Sequence, residues 1–256
     1  MRLFHLVLLV YVTLIYRPAL AQKDVATTYS LIDALLAGQY DGQFTGRELK
    51  QRGNFGIGTF HGLDGEMMLL DGVFYQIKSD GRVNILPDTV RIPWATVSFF
   101  EPEAPFTLPA NLTYDAFPGL LDSRLPSLNL FYAIRLGGTF GSIKVRSVAA
   151  QKKPYQPMSS VIKTQSIFDY ENVTGTLIGY RCPVYVKGVN VPGYHFHFLS
   201  ADGRKGGHVL DFRLKEGTLH LDPLNAFQVI LPNDPAFLKT DLTSDQSAVL
   251  KVVEKR

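Results

Sequence analysis

The chain has 256 residues, of which 46% are hydrophobic, 12% aromatic and 19% charged, a composition typical of a globular protein and unlike that of a disordered one. Its formal net charge at pH 7 is +3, and it falls to +1 when Arg2 and Arg17 of the N-terminal segment are removed. So small a charge gives no basis for binding nucleic acid, an anionic membrane or acidic partners, and it excludes functions that depend on a strongly basic surface.

The first 21 residues have the pattern of a secretory signal peptide. Arg2 supplies a positive start, residues 3–16 are apolar, and the segment ends in Ala19-Leu20-Ala21, which matches an A-x-A cleavage site. The apolar run is shorter than a bilayer-spanning helix requires. We therefore expect cleavage after Ala21, no membrane association of the mature chain, and a secreted or periplasmic protein.

Cys182 is the only cysteine, so no disulfide can form within the chain. We interpret it as a small buried hydrophobic residue rather than a nucleophile. Asn111 and Asn172 begin N-x-T motifs, which are glycosylation acceptors only in a eukaryotic secretory pathway. An exported chain without disulfides must be stabilised by packing, metal binding or association, and its strand-rich first half favours edge pairing into a homodimer.

The predicted elements begin with a short helix over Ser30 to Gly38, where leucines recur at helical spacing and a glycine ends the pattern. Short strands punctuated by glycine follow, as is typical of antiparallel hairpins. A helical section, one further strand and a mixed C-terminal segment complete the chain. In order, these are strands 53–60, Glu66–Leu70 and Val73–Lys78, helices Tyr114–Leu121 and Leu128–Leu136, strand Gly141–Val148, strand Asn225–Leu231, a helical turn Pro235–Lys239 and a helix Ser244–Val253.

Three of the six histidines lie close together in residues 194–208. His195 and His197 project from the same face of a strand because side chains alternate. Asp202-Gly203 predicts a two-residue hairpin turn. With this turn, the residue numbers of each cross-strand pair add up to 405, so His197 lies opposite His208. A bare His-x-His is more typical of a half-exposed strand, but a third histidine on the same face favours a catalytic zinc with an open position for substrate.

Two acids and one arginine are candidates for the rest of the site. Glu66 opens an otherwise apolar strand, Glu254 is the third residue from the end of a charged tail, and Arg146 falls inside the strand 141–148. A metal ion would hold nearby carboxylates ionised, and an arginine fork suits an anionic substrate. The alternatives are a solvated turn residue for Glu66, a solvated tail charge for Glu254 and a solvent-facing strand position for Arg146.

The polar segment 151–157 contains two prolines and predicts a domain boundary. The expected organisation is a signal peptide over residues 1–21, an N-terminal α/β domain over 22–153, and a C-terminal zinc-binding domain with a tail over 154–256. The predicted fold class is α+β. Two sheet-containing halves, with mixed or antiparallel strands and a few flanking helices, are expected to meet at the zinc site.

Several separated motifs, in one order, resemble those of the α-acetolactate decarboxylases. The sequence contains no Walker, G-x-G-x-x-G or G-x-S-x-G motif that would indicate another function. The matching segments are Gly56 to Glu66, Asn129 to Arg135, Val145 to Val148, Tyr185 to Asp202 and Gly206 to Asp211.

The resemblance implies a zinc-dependent carboxy-lyase that converts (S)-2-acetolactate to (R)-acetoin and CO₂ in acetoin biosynthesis. It implies Zn²⁺ ligation by His195, His197 and His208, which agrees with the hairpin argument. It also implies catalytic roles for Glu66, Arg146 and Glu254, and substrate binding by Thr59 and Arg146. Glu66 would deliver or relay the proton, Arg146 would orient the carboxylate, and Glu254 would complete the site as ligand or relay.

The residues by themselves leave other functions open. Three histidines and a glutamate also serve zinc hydrolases and cupin-like metal oxygenases. A strand-rich exported protein can also be a metal-binding or sugar-binding module without catalytic activity. That module would bind its ligand without releasing CO₂.

Overall fold

The computed structural model describes residues 23–254, so the predicted signal peptide of residues 1–21 and its cleavage site lie outside the described residues. Within this range, fifteen strands dominate and the helices are short. The strands are β1 Val25–Tyr29, β2 Phe44–Thr45, β3 Phe55–Thr59, β4 Glu66–Leu70, β5 Val73–Ile77, β6 Val83–Leu86, β7 Arg91–Ile92, β8 Trp94–Ser98, β9 Phe106–Leu108, β10 Leu112–Thr113, β11 Phe131–Ser147, β12 Ser166–Cys182, β13 Gly193–Ser200, β14 Gly206–Leu224 and β15 Ala226–Ile230. The helices are α1 Ile32–Leu36, α2 Gly46–Lys50, α3 Phe117–Asp122, α4 Met158–Val161, α5 Pro235–Lys239 and α6 Ser247–Glu254. No helix in the described range is long and apolar enough to cross a bilayer.

Two large sheets organise the molecule. The first has seven strands in the order β15-β1-β8-β3-β4-β5-β6, antiparallel except for the parallel pair β1–β15. The second has the order β10-β14-β11-β12-β13, with β9 added beside β14. The start of β14 also pairs with β13, so the second sheet closes on itself at this point. The expected α+β fold with several sheets and few helices is confirmed.

One hydrophobic core lies between the two sheets. Phe55, Ile57 and Met68 of the first sheet pack with Ile178 and Tyr180 of the second. The Tyr180 hydroxyl donates a hydrogen bond to the Phe55 carbonyl at 3.1 Å, which ties the sheets together. Burial of these large apolar side chains from both sheets supplies the main stabilisation of the interface.

A separate cluster joins three helices that are far apart in sequence. Side chains of α1, α4 and α6 pack together with Trp94 and Val148. Helix α6 contributes Leu250 and Val253, which are buried, so the last described residue, Glu254, is held against the protein. This cluster encloses the pocket in which the predicted functional residues meet.

The predicted helix Leu128–Leu136 is wrong, because residues 131–147 form the single long strand β11. Phe131 and Ala133 face the core between the sheets, whereas Tyr132 and Ile134 face a second core on the other side. A strand buried on both faces has a continuous apolar run without alternation. Periodicity alone cannot distinguish such a run from a buried helix.

The other predicted elements are confirmed, with shorter bounds in several cases. The predicted helix 30–38 corresponds to α1, after which Gly38 takes a positive φ of 99° that ends the helix. The predicted helix 114–121 forms only over α3, and the terminal helix forms over α6. The predicted strands 53–60, 66–70, 73–78 and 225–231 correspond to β3, β4, β5 and β15.

The sheets do not divide at the segment 151–157 that was predicted as a domain boundary. Strand β11 precedes this segment yet lies in the second sheet, and β15 follows it yet lies in the first. The division of the chain into residues 22–153 and 154–256 therefore does not coincide with the two sheets. That these two segments are separate domains stays a prediction.

Candidate metal centre

The hairpin of β13 and β14 has the predicted register. His197 pairs with His208, and Leu199 pairs with Gly206. The loop contains four residues rather than two, because the Gly203 N–H donates to the Ser200 carbonyl and the Ser200 N–H donates to the Lys205 carbonyl. Asp202-Gly203 are the two central residues of this loop, so the register is the same for either loop length.

A third strand places Arg146 beside the histidines. His208 pairs with His197 on one side and with Arg146 of β11 on the other, so three of the predicted site residues lie in a row across the second sheet. The row depends on Gly207, which has a φ of 147°, because a Cβ at this position would lie 2.6 Å from the Arg146 carbonyl oxygen. A larger residue at position 207 would therefore separate β14 from β11 at the site.

The three histidines are buried and close enough to hold one metal ion. One ring nitrogen from each of His195, His197 and His208 lies within 4.8 Å of the others. The Nδ1 of His197 lies 2.8 Å from the Met67 carbonyl, which can only accept, so Nδ1 carries the proton and Nε2 is left as a free ligand. These residues therefore fit the metal that the sequence predicts.

The electrostatic surroundings keep these imidazoles neutral. Burial and, to a smaller extent, the Arg146 cation lower the pKa of His195 to about 3. Burial also holds the pKa values of His197 and His208 well below the usual range, with Arg146 and the neighbouring histidines acting in the same direction. Metal binding requires neutral imidazole, so the site needs no deprotonation at neutral pH.

Two carboxyl groups flank the histidines. Oε2 of Glu66 lies 3.6 Å from Nε2 of His197, and Oε2 of Glu254 lies 3.6 Å from Nε2 of His208. Burial and the nearby Glu254 raise the pKa of Glu66 to about 7, against the lowering effect of Arg146. Burial likewise raises the pKa of Glu254 to about 7, again opposed by Arg146. Carboxyl groups with such pKa values can exchange protons near neutral pH.

Arg146 is 2% exposed and carries buried N–H groups at Nε and Nη1 that have no hydrogen-bond partner within residues 23–254. Buried donors normally find acceptors, so this arrangement suits an anionic ligand in the pocket. Oε1 of Glu66 is likewise buried and unpaired among the described residues. The solvent-facing interpretation of Arg146 is therefore wrong.

The first sheet contributes a second row of three side chains. Thr59 pairs with Trp94 of β8 on one side and with Glu66 of β4 on the other. All three line the same pocket as the histidines. The Thr59 hydroxyl donates to the Gly65 carbonyl at 2.8 Å, so towards the pocket it can act only as an acceptor.

All seven residues that the sequence predicts for the site line this one pocket, where apolar side chains of the helical cluster form the remaining wall. Their roles in catalysis and binding stay predictions. Sequence reasoning missed Trp94, which stacks on His195 at 6.0 Å between ring centroids. The sequence feature that could have identified this residue is that the only tryptophan of the chain opens the strand-like run Trp94-Ala95-Thr96-Val97-Ser98.

The fold and the pocket define a class of protein: two packed sheets with a buried histidine cluster that can hold a metal ion. Comparison with known proteins narrows this class. A model of the alpha-acetolactate decarboxylase family matches residues 27–244. The chain belongs to the α-acetolactate decarboxylase family.

Individual relatives match over nearly the whole chain. The alpha-acetolactate decarboxylase of Methanosarcina mazei is 46% identical over 233 residues, which cover 91% of this chain and 81% of the relative. That of Bacillus subtilis is 40% identical over 231 residues, covering 89% of this chain and 91% of the relative. The X-ray crystal structure of the Bacillus subtilis protein matches with a TM-score of 0.88 and 38% identity, over 91% of this chain and 100% of that chain.

Proposed function

We propose that this protein is an acetolactate decarboxylase, a carbon–carbon lyase that converts (S)-2-acetolactate to (R)-acetoin and CO₂. Membership of the family supports the reaction. The observation that carries the proposal is the meeting of Glu66, Arg146 and three neutral histidines in one buried pocket. The substrate offers a carboxylate, a hydroxyl and a ketone, and the pocket offers unpaired groups that suit such a ligand.

The reaction needs one bond broken and one proton delivered. The bond between the carboxylate carbon and the hydroxyl-bearing carbon breaks, CO₂ leaves, and the electron pair moves towards the adjacent ketone oxygen as an enediolate. A proton then adds to the carbon that carried the carboxylate, which gives acetoin. We assign this proton to Glu66, a buried carboxyl group that lines the same pocket and whose Oε1 has no partner among the described residues.

Arg146 binds and orients the substrate in this proposal. Its unpaired N–H groups can donate to the carboxylate, and its buried positive charge stabilises the negative charge that develops on the adjacent oxygen. The guanidinium also interacts electrostatically with two carboxyl groups, since it lowers the pKa of both Glu66 and Glu254. Glu254 completes the wall of the pocket as a ligand or proton relay.

We propose Zn²⁺ as the metal, held by His195, His197 and His208. Three neutral imidazoles are a ligand set that catalytic zinc prefers, and such a set leaves room for substrate oxygens. When bound, the ion would supply Lewis acidity that stabilises the enediolate.

Removing the metal is expected to abolish acetoin formation. We expect the activity of purified protein to fall by about 100-fold or more after treatment with a chelator, because a Lewis acid stabilises the transition state of such a step by several kcal/mol. Adding Zn²⁺ at one equivalent should restore the activity. The measurement is acetoin formed from 2-acetolactate, with metal content determined in parallel and zinc-saturated chelator as the control. Binding of 2-acetolactate without CO₂ release would instead support a binding module.

Substituting Arg146 by lysine is expected to lower kcat/KM by about 10- to 100-fold. An ammonium keeps the positive charge but cannot reproduce the planar fork that binds a carboxylate through two N–H groups. The matched control is Arg135→Lys, on the same strand, where the guanidinium forms an exposed ion pair with Asp71. Steady-state kinetics on both variants checks the prediction, and an Arg146→Lys variant as active as Arg135→Lys would contradict it.

We also propose that the mature protein is secreted or periplasmic and forms a homodimer. The first proposal is supported only by the sequence pattern of residues 1–21. The second is supported by β6, one of the two edge strands of the first sheet, in which Ile85 is 70% exposed. An edge strand with an exposed apolar side chain can pair with another chain.

A further inference from the structure

Trp94 lines the pocket and carries a buried polar group that has no partner among the described residues. The side chain is 2% exposed, and its indole Nε1 is buried with no acceptor among the described residues. Buried indole N–H groups usually find a partner. A phenylalanine could stack on His195 in the same way without burying a donor, so packing does not account for the N–H.

The neighbours of Trp94 do not supply the missing donor function. Thr59, its cross-strand partner, has already committed its hydroxyl hydrogen to the Gly65 carbonyl. Glu66, the third side chain of the same row, is an acceptor when ionised, and when protonated its hydrogen is the one that the proposed reaction delivers to carbon. Along this wall of the pocket, Trp94 is therefore the side chain whose hydrogen is available to a ligand.

We propose that the indole N–H of Trp94 donates a hydrogen bond to an oxygen of the bound 2-hydroxy-3-oxo acid, which makes Trp94 a substrate-binding residue. This inference rests on the proposed function, because it takes the ligand to be the substrate of that reaction. Every oxygen of such an acid can accept a hydrogen bond. Arg146 on the second sheet and Trp94 on the first, which both line the pocket, then contact the same substrate. The stacked ring also keeps His195 in place, since the Nδ1 of His195 has no partner within residues 23–254.

The variant Trp94→Phe removes the N–H and keeps an aromatic ring over His195. We expect KM to rise about threefold to tenfold, the effect of losing one neutral hydrogen bond, with kcat and metal content within about twofold of the parent. The melting temperature should stay equal or rise, because an unpaired buried donor is removed. A purely structural role for Trp94 would lower the melting temperature and leave KM unchanged.

The matched control is Tyr40→Phe, which deletes a polar group from the same hydrophobic cluster. The Tyr40 hydroxyl donates to the Gln156 carbonyl at 2.9 Å and does not line the pocket. This control should lower the melting temperature and leave KM unchanged, the reverse of the result expected for Trp94→Phe.

Binding of a non-reacting analogue separates this inference from the proposed function. In 2,3-dihydroxy-2-methylbutanoate a hydroxyl replaces the ketone, so its carboxylate is not lost. Calorimetry on zinc-loaded protein should show about threefold to tenfold weaker binding to Trp94→Phe than to the parent. Because Trp94 is the only tryptophan, the emission of the parent protein should also change as the analogue binds.

The outcomes are distinct. A parent protein that forms no acetoin overturns the proposed function, whereas the analogue still tests the role of Trp94. Equal KM and equal analogue affinity for the parent and Trp94→Phe overturn the hydrogen bond. Tryptophan emission that does not respond to a saturating amount of the analogue overturns contact between Trp94 and the ligand.

Discussion

Replacing Glu66 by glutamine is expected to lower kcat by about 10²- to 10⁴-fold, the usual contribution of a positioned proton donor. Glutamine has nearly the same size and keeps an oxygen near His197, but it cannot hold or release a proton. The loss should therefore appear in turnover. Metal content should remain at the parent level because the histidine cluster is unchanged.

Kinetics and metal analysis on the same preparation check this expectation. Glu48→Gln is the matched control, since Glu48 caps α2 through the Thr45 backbone and hydroxyl and lies outside the pocket. Glutamine also serves in a capping box, so this variant should keep full activity. Turnover by Glu66→Gln within about threefold of the Glu48→Gln value would refute the proton-delivery role.

Replacing His197 by alanine is expected to remove the metal and the activity together. Loss of a group that only hydrogen-bonds to a metal ligand typically weakens metal binding by about 10- to 100-fold. Loss of the ligand itself should therefore weaken metal binding by at least about 100-fold. The substitution also leaves the Met67 carbonyl without its donor. Adding excess zinc should restore little activity, because the ligand set is incomplete.

Metal content and acetoin formation are measured for His197→Ala and, because alanine leaves a buried space, for His197→Gln. The matched control is His220→Ala, on the same strand as His208 but outside the histidine cluster. The control should retain both metal and activity. A His197→Ala protein that is folded, metal-free and still active would refute the metal-dependent reaction.

Local patterns predicted a large part of the site. The hairpin register depends on strand alternation and on one turn, both of which act within residues 193–208. His197 and His208 could therefore be paired from the sequence, and the structure confirms the pairing. Glu66 was likewise recognisable as the first residue of an apolar strand, which is where β4 begins.

Long-range placement could not be predicted in this way. Arg146 looked like a solvent-facing strand residue and Glu254 like a tail charge, because nothing near either one in sequence indicates burial. The structure buries Arg146 by pairing β11 with β14, which starts about 60 positions later. It holds Glu254 at the pocket through the packing of α6 against α4 and Trp94, contacts between distant segments.

The helix predicted for residues 128–136 shows the same limit in the fold. Whether an apolar run forms a helix or a strand depends on what covers its two faces. For β11 those faces are the core between the sheets and the core beneath α3, and both are built from other parts of the chain. Trp94 was missed for a related reason, since its proximity to His195 follows from packing of one sheet on the other.

By itself the sequence determined the globular class, most of the short strands, the histidine hairpin with its register and, through resemblance, the family. Each of these depends on residues close together in the chain or on motifs read in order. Only the tertiary structure decided that Arg146 and Glu254 are enclosed with the histidines, that their environment raises the carboxyl pKa values, and that Trp94 lines the same pocket. Burial and charge proximity are properties of packed surfaces, and these surfaces exist only once the two sheets and the helical cluster have come together.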